Sequence, residues 1–552
     1  MKFSYNWLRE MVPALDASAK DLGRLITIHT AECEGVEEFG ELLAAVDAAK
    51  VVSVEAMGAS HNRKAVVETA RYGRKTVVCG APNCRVGITT AYVPAGTTLT
   101  NGKTIGKITL EGVESDGMLA SGAELGINAD HTGIVEFEGA LGLAADTVIE
   151  IDNKSLTHRP DLWGHFGMAR EVAAITGKPL HDPVDMGRLP EGSGAIKVTV
   201  EDYKLCPRYS ALVFENVNVG PSPLWLQARL AAVGLNTINN VVDVTNIILA
   251  ELPQPMHAFD ADKVRGGEII VRPAKIGEQI AALNGESYEL DPSTLVIADK
   301  EGPVAVAGVI GGADSAIGDG TTRIVLESAN FNAISVRKTS VKLKLRTDAS
   351  MRFEKAQDPE NTLRGLARAV ELLEQVCPGI RLVGGVVDAY QPPPSIPPID
   401  LNLDWLDRKL GRAVPAKEVR RIFESLSFGV EESGPRVFRV AVPTWRATKD
   451  VSIKDDLVEE IGRMIGYGTI DPAPPLVAAK PPVGNPERAF HHQVRDMAAA
   501  QGFTEVYNYS FVNLDLIVPF GFDLADHVEV LNPIAADQTH LRTSLLPRIW
   551  RN

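Results

Sequence analysis

Long apolar runs are missing from this 552-residue chain: nowhere do about 18 apolar residues follow one another, the length a membrane-crossing helix needs. The N-terminus, MKFSYNWLREMV, has neither a continuous apolar segment nor a small-residue cleavage site, so the sequence reads as neither secreted nor membrane-bound. Cysteine is scarce too. Five residues (Cys33, Cys79, Cys84, Cys206, Cys377), an odd number and widely scattered, exclude a disulfide framework and fit a reducing cytoplasm. Cys79 and Cys84 in CGAPNC form the one close pair, but no second Cys/His pair accompanies them, so buried thiols are expected rather than a zinc site. Aromatics make up only 6%. Positive charge is short overall, with a net charge of −15, which argues against a uniformly cationic nucleic-acid binder and requires charge to be read locally.

What is present is the composition of a globular protein, 45% hydrophobic and 23% charged, at a length that predicts roughly three to five domains. The opening block includes ASAKDLGRLITIHT, where Leu22, Leu25 and Ile26 share a helical face after a cap at Ser18. Short β-rich runs follow (VVSV, KAVVETA, KTVVCG, ITTAYVP, KITLEGVES), whose turn spacing predicts a sandwich or small barrel. Helical periodicity returns in SLTHRPDLWGHFGMAREVAAITGKPL, so the β-rich block reads as an insertion. A long α+β block ends in the stiff linker QPPPSIPP. Beyond it lie two short helices, the strand FRVAVPTWR, the helix VSIKDDLVEEIGRMIGY, and a last block with a helix carrying Phe490, Val494 and Met497 and the strand EVYNYSFV. The most basic stretch, Val336 to Lys355, has seven Lys or Arg; Lys342, Lys344 and Arg346 alternate with leucines and would line one face of a strand.

Several strings stand in a fixed order: MKFSYNWLREMV, VCGAPN, EGVESDGMLASGAELG, HRPDLWGHFGMAREVAAITGKPL, NNVVDVTN, QPMHAFD, AGVIGG, RTDASMRFEKAQDP, VPTWR, DDLVEEIGRMIGYG and NPIAADQTHLRTSLLP. Together they resemble the phenylalanyl-tRNA synthetase beta subunit family of bacteria, from one end of the chain to the other. The resemblance implies a multidomain α+β protein. Its parts would be a small α+β domain (residues 1–40 plus 152–195), an OB-fold β-barrel for tRNA inserted at 41–151, an α+β editing domain at 196–391, a winged-helix-like domain at 400–475, and a partial, non-catalytic class II synthetase-like module at 482–552. It implies an α₂β₂ heterotetramer in the cytoplasm, in which an alpha subunit binds phenylalanine and ATP while this chain binds tRNA(Phe) and proofreads. Family members continue further, so the resemblance also implies a chain cut before its natural C-terminus.

Proofreading has a physical rationale. Tyrosine is phenylalanine plus a hydroxyl, and an apolar pocket rejects an added hydroxyl by only about a hundredfold. A second site must bind the phenol and hydrolyse its ester. By resemblance, Glu327 in VLESANF would accept the tyrosyl OH, Gly311 and Ala349 would leave room for the ring, and Thr245, Asn246, His257 and Thr347 would line the catalytic end. From the residues alone, His257 reads as a structural histidine and Glu327 as a charge at a strand end. Asn236 stands where the family commonly has arginine. The resemblance also places Mg²⁺ at Asp450, Asp456, Glu459 and Glu460; the last three fall at i, i+3 and i+4 of a helix and are expected to share a face, the alternative being an ordinary solvated acidic surface. The β-rich block, with nine Lys or Arg against thirteen Asp or Glu in residues 41–150, is expected to grip RNA only weakly. Two other functions compete: a free-standing hydrolase of mischarged tRNA, and a non-enzymatic RNA-binding scaffold.

Overall fold

The computed structural model describes every residue except Ala59. The chain forms two units, Met1–Asp471 and Pro472–Asn552.

The first unit opens with a three-stranded antiparallel sheet, in which Asp146–Ile151 lies between Lys2–Ser4 and Cys33–Phe39. Helices Tyr5–Met11 and Ala19–His29 start where Ser4 and Ser18 accept hydrogen bonds from the backbone N–H groups of Trp7 and Asp21. The strand Asp146–Ile151 fell inside the block expected to be a barrel at 41–151. It is the central strand of the N-terminal sheet instead, and its Ile149 and Ile151 are buried in the core beneath that sheet.

Within the insertion, five antiparallel strands run in the order Gly73–Cys79, Arg63–Thr69, Asp47–Ala56, Thr89–Val93, Met118–Leu119. Both faces are covered: Ala91 and Val93 point into one core and Tyr92 into another. The Tyr92 hydroxyl donates to the carbonyl of Asp116. A Cβ on the next residue, Gly117, would lie 2.5 Å from that hydroxyl, and its φ of +96° also suits glycine. Cys79 and Cys84 are buried free thiols of this core.

The central region stacks two sheets. One is antiparallel, in the order Met256–Asp260, Arg323–Asn330, Arg208–Glu215, Arg381–Tyr390. Its alternation is the key to the site. Leu212, Phe214, Ile324 and Leu326 face a core shared with helices Asn240–Glu251 and Asn361–Val376. Tyr209, Ala211, Val213, Val325 and Ala329 face the second, five-stranded sheet, built from Lys197–Val200, Glu268–Pro273, Leu295–Ala298, Pro303–Val306 and Ile310–Gly311.

The basic stretch expected as a strand is the helix Ala333–Leu343. Asn332 caps it, accepting from the N–H groups of Ile334 and Ser335, and Val336, Thr339 and Ser340 are buried at i, i+3 and i+4. The alternation of Lys342, Lys344 and Arg346 covers only its end, where Lys344 closes the helix in a left-handed conformation with φ +54°.

Residues 391–398 have no regular structure. After them come strands Ile399–Asn402, Gly429–Gly434 and Val437–Ala441 and helices Leu403–Leu410, Ala416–Ser425 and Lys454–Ile465, around a core of Leu401, Leu406, Ile422, Phe423, Leu457 and Ile461. The expected strand FRVAVPTWR stops at Ala441, and Thr444–Ala447 is a helical turn. In the second unit, helix Pro486–Ala500 leaves Phe490, Val494 and Met497 exposed. Of EVYNYSFV only Phe511–Val512 is strand, paired with His540–Leu541. Among the described residues no helix is long and apolar enough to cross a membrane.

Candidate functional site

Antiparallel register places His257 directly opposite Glu327, both on the face turned toward the five-stranded sheet. A cavity of about 90 Å³ lies there, lined by His257, Gly311, Glu327, Phe331, Ala349 and Phe353 among others. Glu327 is only 4% exposed and forms no salt bridge among the described residues. Its Oε2 accepts a hydrogen bond of 3.2 Å from the Tyr209 hydroxyl. Burial pushes the carboxyl up to about 8, because nothing nearby replaces the water that would solvate its charge; the Tyr209 bond opposes this only in part. At neutral pH Glu327 therefore carries its proton. A neutral carboxyl can both accept a hydrogen bond and donate one.

Burial also draws His257 down to about 4, so its imidazole is neutral at pH 7. Its ring stands edge-on to Phe259 with centroids 4.5 Å apart, and its Nε2 is buried with no hydrogen-bond partner among the described residues. Gly311 permits this position: a Cβ there would lie 2.6 Å from His257 Cε1. A buried, unpartnered ring nitrogen next to a buried neutral acid is costly to leave dry, and such pairs gather where a polar ligand is meant to enter.

The remaining expected residues divide. Ala349 lines the cavity from helix Asp348–Phe353, and Thr347 caps that helix while donating a 2.7 Å bond to the Val309 carbonyl, which fixes a wall. Thr245 and Asn246 do not reach it. Their helix, Asn240–Glu251, packs on the opposite face of the sheet, where Thr245 bonds the Val242 carbonyl at 2.7 Å and Asn246 the Asn236 carbonyl at 3.4 Å. Asn236 itself is exposed. Tyr209, Phe331 and Phe353 were not foreseen. The signal for Tyr209 was its place in RYSALVFE, two residues before Ala211, the cross-strand neighbour of Glu327.

The four acidic residues expected to hold magnesium separate as well. Both oxygens of Glu460 are taken by Arg446 (2.8 and 2.9 Å) and by Arg463 (2.6 and 2.9 Å). Asp450 pairs with Arg446 and, at 3.4 Å, with Arg159. Arg159 and Arg463 both hold Glu171, Arg159 also holds Asp161 at 2.9 Å, and Arg170 lies 3.6 Å from Asp161. Asp456 spends one oxygen on the N–H groups of Ser452 and Ile453 at the helix start, and Glu459 is exposed. Asp456, Glu459 and Glu460 thus do not share a face: the helix turns Glu460 into the core. Among the described residues no group of three or more His, Cys, Asp or Glu is arranged to hold a metal. The buried network already balances four carboxylates (Asp161, Glu171, Asp450, Glu460) with four arginines (Arg159, Arg170, Arg446, Arg463), and a divalent cation set among them would be opposed by those arginines. The set does not fit Mg²⁺ as a common centre.

The B3/4 domain family matches residues 205–378, the tRNA synthetase B5 domain residues 399–467, and the phenylalanyl tRNA synthetase beta chain CLM domain residues 470–552. The Phenylalanine--tRNA ligase beta subunit of Solibacter usitatus (strain Ellin6076) is 65% identical over 557 residues, covering 100% of this chain and 71% of its own length. That of Anaeromyxobacter dehalogenans (strain 2CP-C) is 39% identical, covering 100% and 70%. A solved N-terminal fragment of the phenylalanyl-tRNA synthetase beta-subunit from Pyrococcus horikoshii aligns at 16% identity with a TM-score of 0.33, covering 58% of this chain and 87% of the fragment, too loose a likeness to bear on the fold. On the identity sustained along its whole length, the chain belongs to the phenylalanine--tRNA ligase beta subunit family.

Proposed function

We propose that this chain is the proofreading and tRNA-binding half of a phenylalanine--tRNA ligase: an alpha subunit attaches phenylalanine to tRNA(Phe) at the expense of ATP, and this chain hydrolyses Tyr-tRNA(Phe) in the cavity at Glu327. The observation that carries the reading is the buried pair of Glu327 and His257, a neutral acid and an unpartnered neutral imidazole facing one cavity. Glu327 binds the phenol and is itself oriented by Tyr209. His257, held against Gly311, offers Nε2 to a water or to the ester end of the substrate. Phenylalanine brings no hydroxyl, so its ester would leave the Glu327 carboxyl without a ligand partner, and discrimination follows from that unmet bond.

The rest of the reading assigns the inserted five-stranded sheet to an OB-fold that binds tRNA, residues 196–391 to editing, 400–475 to a winged-helix-like domain, and 482–552 to part of a non-catalytic synthetase-like module. The partners are an alpha subunit in an α₂β₂ assembly and tRNA(Phe), in the cytoplasm. Magnesium enters only as a ligand of the assembled enzyme, offered half-buried Asp456 and exposed Glu459, since Asp450 and Glu460 are committed to arginines.

The test is deacylation of Tyr-tRNA(Phe) and Phe-tRNA(Phe) by the chain assembled with its alpha subunit. Glu327→Ala is expected to lose a bond of about 0.5 to 1.5 kcal/mol if the neutral carboxyl is the partner, which cuts Tyr-tRNA(Phe) hydrolysis by roughly two- to tenfold and leaves the slow Phe reaction alone. An unchanged tyrosyl rate would remove Glu327 from this role.

A further inference from the structure

The cationic part of the basic stretch, Arg337 to Arg346, supplies no lining residue of the cavity, yet it lies against the cavity wall. From Ala333 to Thr347 the chain has five Lys or Arg and no Asp or Glu, in a protein whose net charge is −15. Ile334, Arg337, Lys338, Val341 and Lys342 fall at i, i+3, i+4, i+7 and i+8, and all five are exposed, Ile334 at 66% and Val341 at 71%. Lys342 is engaged by Asp291, and Arg346 lies 3.8 Å from Glu354. Arg337, Lys338 and Lys344 make no ion pair among the described residues. The opposite side of the helix touches the cavity: Val336 lies 3.0 Å from where a Cβ on Gly308 would stand, and Gly308 is a lining residue. At the helix end, Lys344 and Arg346 run into Thr347, which is tied to the Val309 carbonyl, and then into Ala349 of the lining.

We propose that this outward face of helix Ala333–Leu343, continued by Lys344, is the docking track for the single-stranded 3′ arm of the aminoacylated RNA, guiding its ester into the cavity; the proposal rests on the hydrolytic reading given above. The argument is charge complementarity together with continuity. Exposed cations without ion pairs, two adjacent on the helix and one at its end, neutralise phosphates, while Ile334 and Val341 give apolar contact to the bases. An acidic protein surface would satisfy the cations equally well, but only an RNA end also delivers an ester to the adjoining cavity.

The experiment compares the assembled enzyme with its Arg337→Gln/Lys338→Gln/Lys344→Gln variant on two substrates, Tyr-tRNA(Phe) and the short ester tyrosyl-adenosine. The variant is expected to raise KM for Tyr-tRNA(Phe) by roughly tenfold or more, and to flatten the slope of log affinity against log salt by about 0.7 for each lost phosphate contact. Hydrolysis of the short ester should be unchanged. An unaltered KM and salt slope, with the short ester still cleaved, overturns the docking track and leaves the hydrolytic reading intact. Loss of association with the alpha subunit would assign the face to that partner and overturn it too. If the parent enzyme cleaves neither substrate, both readings fall together, and the parent measurement alone reveals it.

Discussion

Glu327 lies where two strands of opposite direction bring a carboxyl and an imidazole to the same level of one face, and its proton is the consequence. The native state holds that proton up to about pH 8, whereas an unfolded glutamate releases it near 4.5. Folding therefore takes up a proton between these values. The contribution is fully present below about 4.5 and is lost as pH rises through 8, at about 1.4 kcal/mol per pH unit. Glu327→Gln, which mimics the protonated acid and cannot ionise, is expected to gain stability relative to the parent as pH climbs over this window; parallel stability curves from urea melts across it would refute the neutral carboxyl. The same variant should retain much of the tyrosyl-ester hydrolysis that Glu327→Ala loses, because the amide still accepts a hydrogen bond. His257→Ala is expected to slow deacylation of Tyr-tRNA(Phe) and Phe-tRNA(Phe) alike, leaving their ratio nearly constant, and a change confined to the tyrosyl ester would count against its place at the reacting end. The resemblance pointed to Glu327, His257, Gly311 and Ala349, which do converge on one cavity. It could not separate them from Thr245 and Asn246, because which face of a sheet a helix covers is decided by packing between elements distant in sequence. Tyr209 was hidden for a related reason: a tyrosine in a strand of alternating apolar residues reads as core until the carboxyl opposite it is known.

At the scale of elements, the helix Lys454–Ile465 shows how the same spacing serves two arrangements. Carboxylates at i, i+3 and i+4 predict a shared face, but Glu460 sits between Glu459 and Ile461, close enough to the buried edge for Arg446 and Arg463 to draw it inside. Arg463 stands one turn on in the same helix, at i+3, but Arg446 comes from a separate helical turn, which spacing within one helix cannot reveal. Burial by itself would raise the Glu460 pKa, yet Arg446 and Arg463 outweigh it and hold the carboxyl well below its ordinary range. Glu460→Gln leaves two buried guanidinium groups short of a counter-charge and is expected to cost about 3 to 5 kcal/mol in a denaturant melt. Stripping divalent metal from the parent should leave the melt of this chain unmoved; a large drop on chelation would restore a metal to the network. The helix Ala333–Leu343 teaches the same lesson on secondary structure. Three alternating cations suggested a strand, while the cap at Asn332 and the buried row Val336, Thr339, Ser340 carried the stronger, 3.6-residue signal.

Across the first unit as a whole, the buried ion network spans the sequence more widely than any other feature of the site. Its members come from residues 159–171 on one side of the proline-rich segment and 446–463 on the other, and Arg463 also donates to the His29 carbonyl at 3.0 Å. The connecting residues 391–398 are almost wholly exposed and without regular structure, as the run QPPPSIPP suggested, so the covalent link itself adds little rigidity. Cohesion must then come from contacts, among them the network, Arg170, whose guanidinium lies 4.1 Å from the centre of the Trp445 ring, the Thr444 bond to Asp358 and Ala174 in the core of the later part. A specific protease site introduced at Ser395 tests this directly. After cleavage the two fragments are expected to co-elute in gel filtration at neutral pH, because Glu171, Glu460 and Asp161 are all held below the ordinary carboxylate range by their arginines and remain charged. For such depressed groups the stabilisation is present above the unfolded value and fades as pH falls through the lowered native one, so acid should release the fragments. Asp450 works the other way, since burial raises it, and it should be the first of the four to protonate. Glu171→Gln, which strips the partner shared by Arg159 and Arg463, should part the cleaved halves at neutral pH. Fragments that separate in the unmutated protein at neutral pH would show that the segment 391–398, and not the buried charges, holds the two parts together.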